Sequence, residues 1–267
     1  MTVSLKGKVV LITGASSGFG QDAARLFVAE GANVVLAARR IEKMQAQVKI
    51  LQAAGGKAMA TPVDVNNLAD IENMIKSVTE NYKRIDILFN NAGFGRLDYF
   101  QNLSSERDIR TQINVNLTGL MEVTHAVLPI MIAQHSGHII NMSSIAGWIA
   151  APKYSVYAAS KFGVRGFTDA LRRETAVYGI KVSGIYPGPA YTEFSLHTGK
   201  KSKPNKFSSL THMTSEYVAR RVVNVAKHPR SRLIIPWWYA PAIWADDRLP
   251  WLVDWIVGAS MNGKNRT

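Results

Sequence analysis

The sequence contains no cysteine in 267 residues. Disulfide frameworks, zinc–thiolate sites, iron–sulfur clusters and a cysteine nucleophile are therefore excluded. It has no uninterrupted run of 18 or more apolar residues. The nearest candidates, Leu233–Ala245 and Trp251–Met261, are separated by Asp246, Asp247, Arg248 and Pro250 and fall short of a bilayer span. The N-terminus, MTVSLKGKVVLITG, has no secretory h-region with a cleavage site. Acidic side chains are scarce, 19 against 32 Lys and Arg, which leaves a net charge of +13. Nine of the cations fall between Leu196 and Arg232, opposed there by Glu216 alone. A nucleic-acid binder interleaves aromatics with such cations, and only Phe207 and Tyr217 do so here. An anionic cofactor is the better expectation, and no nucleic-acid partner is expected. His125, His135 and His138 do not share a helix face with carboxylates at metal spacing, so no catalytic metal is expected. The missing thiols suit a reducing compartment, and the expected location is cytoplasmic.

What is present is globular. The apolar fraction is 47%, and glycine and proline are near average. Short apolar runs at 8–13, 33–38, 57–63, 85–90, 137–142, 181–186 and 232–236 are rich in Val and Ile and bounded by Gly, Asn or Pro. These predict buried parallel strands. Between them lie helical stretches at Phe19–Glu30, Glu42–Ala54, Leu68–Tyr82, Ser104–Gln134 and Ser155–Tyr178. Pro129 inside the fourth predicts a kink or break. The alternation predicts a single α/β domain over 1–267: a Rossmann-type, doubly wound parallel sheet of about seven strands with helices on both faces. Residues 192–212 lack periodicity and are expected as a substrate lid.

The first strand runs into Thr13-Gly14-Ala15-Ser16-Ser17-Gly18-Phe19-Gly20 and then a helix. Glycines at such a turn let the backbone approach a phosphate, which the helix N-terminus attracts. No Lys-Ser/Thr pair follows Gly18, so this is not a Walker loop. Gly14–Gly18 also fits the GxSxG elbow of α/β-hydrolases, but only 13 residues precede it, too few for the strands an elbow requires. The second strand ends at Arg39-Arg40, where NAD binders carry an acidic residue. Guanidinium forks suit a 2′-phosphate, which predicts NADP(H) as the cofactor. Asp64 and Val65, after the third strand, are expected on the adenine side, with Asp64 alternatively capping a helix.

The fifth strand leads to Ser144. Tyr157 follows thirteen residues later and Lys161 four after that, at i and i+4 on one helix face. A free phenol has a pKa near 10 and is a poor proton shuttle at neutral pH, and a neighbouring ammonium is expected to lower it. The lysine can also donate to ribose hydroxyls, and a serine hydroxyl can hold a substrate oxygen.

These motifs, in this order, resemble the single-domain short-chain dehydrogenases/reductases over roughly residues 5–236. They are Thr13–Gly20, Asn90-Asn91-Ala92-Gly93, Asn116 in Asn114-Val115-Asn116-Leu117, Ser144, Tyr157 to Lys161, and Pro187-Gly188 followed by Thr192. The resemblance implies catalytic roles for Asn116, Ser144, Tyr157 and Lys161. Asn116 would hold a water that relays protons by way of Lys161, Ser144 would orient the carbonyl, and Tyr157 would be the general acid or base. It implies a cofactor site of Gly14, Ser16, Ser17, Gly18, Phe19, Gly20, Arg39, Arg40, Asp64, Val65, Asn91, Ala92, Gly93, Tyr157, Lys161, Pro187, Gly188 and Thr192. Asn91 would lie against the adenosine and Thr192 against the carboxamide. A homodimer or homotetramer is expected on the same ground.

The substrate groove is expected to be lined by Phe94, Trp148, Ile149, Tyr154, Tyr191 and Phe194, an apolar set suited to a hydrophobic alcohol or ketone. Reduction of carrier-linked 3-oxoacyl thioesters is the alternative. A non-enzymatic nucleotide-sensing or nucleic-acid-binding protein on the same fold is a third, disfavoured because all four catalytic positions are filled. Residues 237–267 form an aromatic extension holding five of the six tryptophans. It is expected to pack over the substrate mouth or a subunit neighbour, with peripheral membrane contact the less favoured reading.

Overall fold

The computed structural model describes residues 2–191 and 213–262, without the side chains of 191 and 258–262. Seven strands form one parallel sheet in the order β3-β2-β1-β4-β5-β6-β9. They are β1 (Val9–Thr13), β2 (Asn33–Ala38), β3 (Lys57–Pro62), β4 (Ile87–Asn90), β5 (Gly137–Met142), β6 (Ile180–Pro187) and β9 (Arg232–Ile235). β7 (Ala190–Tyr191) and β8 (Met213–Thr214) pair separately, Ala190 opposite Met213. The segment expected as a lid, 192–212, lies outside the described residues, but its two flanks are thus held side by side.

Central strands are buried throughout, which is why they are apolar without alternation: all five residues of β1 are buried. One face of the sheet is covered by α1 (Gly18–Ala29), α2 (Ile41–Ala53) and α6 (Ser215–Lys227), through Phe27, Met44, Leu51, Val218 and Val222. The other is covered by α3 (Leu68–Tyr82), α4 (the helical run Ser105–Ala133) and α5 (Ser155–Glu174), through Ile71, Met74, Val123, Val127 and Leu171. Among the described helices α4 alone is long and apolar enough to cross a bilayer, yet Val123, Val127 and Met131 place it in the core.

Two helix expectations are corrected. α4 passes through Pro129 without a break, and Pro129 faces solvent. Its irregularity lies earlier, where Ser105–Arg110 and Asn114–Thr118 wind as π-helix. α5 ends at Glu174, and a 3-10 turn, Ala176–Tyr178, carries the chain to Gly179. The tail folds into α7 (Tyr239–Arg248) and α8 (Pro250–Asn262).

Sheet order reverses between β1 and β4. Strands β2 and β3 extend one way from that point and β5, β6 and β9 the other. The carboxyl ends of β1 and β4 therefore border a crevice, the place where open α/β sheets bind ligands.

Candidate active site at the sheet switch point

The glycine turn sits in that crevice and is locked from β4. Thr13 Oγ1 accepts the N–H groups of Asn91 at 3.0 Å and Ala92 at 3.1 Å. Asn91 Nδ2 donates to the carbonyls of Thr13 at 3.1 Å and Gly14 at 3.2 Å. Asn91, expected against the adenosine, thus ties the turn to β4. Gly14 has φ +65, and a Cβ there would lie 2.8 Å from Ala92 Cα, so conformation and space both demand glycine.

The crevice fits an anionic dinucleotide. α1 starts from Ser17 in extended conformation with no side-chain cap, leaving its first N–H groups and its positive dipole end for a ligand. Arg40 folds back over this start: its Nη2 donates to Ser16 Oγ and Ser17 Oγ, both at 2.9 Å. Arg39 and Arg40 are both exposed, and Arg40 is hydrogen-bonded to the glycine turn. The Asp64 carboxylate accepts from Asn66 N at 3.0 Å, and Asn67 rather than Asp64 caps α3. Val65 packs on Gly119 of α4.

The positions expected to be catalytic come together near the ends of β5 and β6. Ser144 follows β5, accepts Ala146 N at 3.1 Å and lies 3.4 Å from the Pro187 carbonyl oxygen. A 3-10 turn, Ile145–Gly147, then presses on α5. A Cβ at Gly147 would sit 2.7 Å from both Lys161 O and Ser143 Oγ. That close approach sets Ser144 beside Tyr157, and their side chains are hydrogen-bonded. Lys161 Nζ lies 5.7 Å from the Tyr157 ring centre and donates to Met142 O at 3.1 Å. Asn116 is fully buried and sits in the second π-helical segment, a feature frequent at functional sites. Its amide brackets Phe94, donating to Phe94 O at 2.8 Å and accepting Phe94 N at 2.9 Å, and donates to Ser160 Oγ at 3.2 Å.

Burial dominates the electrostatics. It raises the Tyr157 phenol well above its ordinary value. The hydrogen bond from Ser144 opposes that rise, and the nearby Tyr154 phenol adds to it. Burial also pushes the Lys161 ammonium down to about 8. The lowering of the Tyr157 phenol expected from Lys161 is therefore not found: desolvation raises it, and Lys161 is not among the groups that shift it.

Of the expected groove residues, Phe94, Ile149 and Tyr154 are half-buried near the site, with Tyr154 edge-on to Tyr157 at 6.2 Å between ring centres. Trp148 differs. Its indole is taken up by the guanidiniums of Arg165 at 4.1 Å and Arg232 at 5.1 Å and meets Tyr186 edge-on at 5.6 Å. It braces the Ser144 turn rather than offering a free face to substrate. Arg165 also donates to Gly147 O at 3.0 Å. Thr192 and Phe194 lie outside the described residues, as does the side chain of Tyr191.

One residue at the site escaped sequence reasoning. Tyr239, at the start of α7, presses its ring on Gly188; a Cβ there would be 2.7 Å from the ring. Its phenol is raised by burial and then by Tyr154, which places the two phenols in one environment. Only the aromatic character of the tail hinted at it. Among the described residues no group of His, Asp and Glu could hold a metal.

The sequence model of the short chain dehydrogenase family matches residues 8–203. A 3-oxoacyl-[acyl-carrier-protein] reductase of Thermotoga maritima is 37% identical over 77% of this chain and 83% of its own. A metagenomic short-chain oxidoreductase solved with NADP shares 30% identity and a TM-score of 0.74, covering 87% of this chain and 98% of its own. A short chain dehydrogenase/reductase of Burkholderia phymatum, solved with NAD, shares the fold at a TM-score of 0.84 and 24% identity over 94% of this chain and 96% of its own. The chain belongs to the short-chain dehydrogenase/reductase family and is an oxidoreductase of that kind.

Proposed function

We propose that the protein is an NADP(H)-dependent oxidoreductase that interconverts a hydrophobic alcohol and its ketone or aldehyde. The carrying observation is the joint burial of Asn116, Tyr157 and Lys161 beside Ser144, next to a glycine turn topped by Arg40. When bound, the dinucleotide supplies or accepts the hydride. Ser144 Oγ holds the substrate oxygen, and in reduction Tyr157 gives its proton to that oxygen as the carbonyl carbon gains the hydride. Lys161 holds the ribose and, with Asn116, returns a proton to Tyr157.

NADP over NAD rests on Arg40. Its guanidinium is anchored on two serine hydroxyls at the turn, where a 2′-phosphate would meet it. The Arg40→Asp variant should lose roughly 10- to 100-fold in NADPH affinity while NADH affinity changes little, because a charged hydrogen bond is worth about 1.5–3 kcal/mol. Equal loss of both cofactors would remove the argument. Turnover against steroid, retinoid, aliphatic and thioester ketones identifies the substrate class, and a hydrophobic free ketone should win.

The second reading, reduction of 3-oxoacyl groups on an acidic carrier protein, is favoured by the Thermotoga relative and by the basic surplus. Its signature would be carrier-linked substrate outrunning the same acyl group on a small thiol.

A further inference from the structure

Five of the six tryptophans lie between residues 237 and 255, and none of them is buried. Trp237, Trp255 and Trp251 are 75%, 70% and 68% exposed, and Trp238, Trp244 and Ile256 are more than half exposed. A monomeric surface rarely carries so many exposed large apolar side chains in one short segment without a partner. α7 is anchored at its root through Tyr239 on Gly188 and through buried Ile243, so the tail is held against the body while its indoles face outward. Tyr239 thus covers Gly188 at the cleft, while the tryptophans face outward.

We propose that α7 and α8 dock on the surface of a lipid bilayer, with the indoles in the headgroup layer. Residue type and helix length carry the choice of partner. Tryptophan joins an apolar ring to an N–H donor and concentrates where hydrocarbon meets water. The two helices are about 15 and 20 Å long, against a hydrocarbon core of about 30 Å, so they can lie in the interface but not span it. On α8, Leu252, Val253 and Val257 are partly covered while Trp251, Trp255 and Ile256 are exposed, so its outward side is apolar except for Asp254. Such a face can lie in the plane of a lipid interface with its rings in the headgroup layer.

Asp246, Asp247 and Asp254 oppose attraction by anionic lipid, so the indoles, not charge, should supply the affinity. Burial and the two other carboxylates also hold Asp246 above its ordinary value, which eases its approach to the interface. The Tyr239 contact puts this surface next to the cleft, so a substrate dissolved in lipid has a short path to Tyr157. That last consequence rests on the hydrophobic-substrate reading; the docking itself does not.

The test uses the full chain with phosphatidylcholine vesicles, with and without phosphatidylglycerol. The protein should co-sediment with both and remain bound in molar salt. Its tryptophan emission should shift to the blue, and brominated acyl chains should quench it. The Trp244→Ser, Trp251→Ser, Trp255→Ser triple variant should lose at least roughly tenfold in partitioning while keeping its mass and its turnover of soluble ketone. Failure of the wild type to sediment at any lipid concentration overturns the proposal. So does binding that molar salt abolishes, or light scattering in which the triple variant alone falls to half the wild-type mass, since that assigns the face to a second copy.

Discussion

Lys161 occupies a dry position in α5, and that dryness brings its ammonium down to about 8. A group poised there loses its charge just above physiological pH. Rate constants for ketone reduction should then fall as pH rises through about 8, as the charge that orients ribose and returns the proton is lost. In Lys161→Met this limb should vanish and the rate at neutral pH should drop by about 10²–10⁴. A pH–rate profile of wild type and variant checks both, and a limb that persists in the variant assigns the titration elsewhere. The i, i+4 spacing of Tyr157 and Lys161 was legible in the sequence because helix geometry dictates it. The order of the electrostatic effects was not, because it depends on burial that only tertiary packing creates. Trp148 and Tyr239 fail for the same reason. An aromatic letter near a site does not say which way its ring faces, and here the guanidiniums of Arg165 and Arg232 claim Trp148 while Tyr239 folds back from the tail.

At the scale of elements, the site depends on how the turns after β1 and β4 are fastened. Thr13 Oγ1 accepts two N–H groups from the second turn, so Thr13→Val keeps the shape and orphans both donors. Such a loss costs about 1–3 kcal/mol. Urea unfolding should show it, and dinucleotide affinity should weaken several-fold as the glycine turn loosens. Unchanged stability and affinity would mean that water replaces the hydroxyl at no cost. Strands were the most legible elements. Buried parallel strands are continuous apolar runs with turn residues at both ends, and β2 and β5 match their expected bounds. Of the kink or break expected at Pro129, the break did not occur: the helix runs on through Pro129, whose ring faces solvent. The actual irregularity, π-helix around Asn116, has no comparable signature in residue type.

For the whole molecule, stability should fall on mild acidification because of His138. Its imidazole is buried beside Ser183 Oγ at 2.8 Å, and burial followed by Lys181 lowers it to about 3. The folded protein keeps it neutral, whereas the unfolded chain protonates it near 6.5. Below 6.5 the unfolded state therefore takes up the extra proton, and the stability present above that value is lost progressively down to about 3. Between pH 7.5 and 5 the loss should be about 2 kcal/mol. His138→Gln, which does not titrate, should lose much less over the same range. Chemical denaturation at the two pH values measures the difference, and parallel losses in both proteins would place the acid sensitivity elsewhere.

The central claim is that Tyr157 delivers the proton in a cleft that holds the dinucleotide. NADPH oxidation with a hydrophobic ketone, measured for wild type and Tyr157→Phe alongside NADPH binding by fluorescence, tests it most directly. Binding should stay within a few-fold while the rate falls by about 10²–10⁴, the usual contribution of a general acid. A variant that binds NADPH and still turns over at the wild-type rate would contradict it.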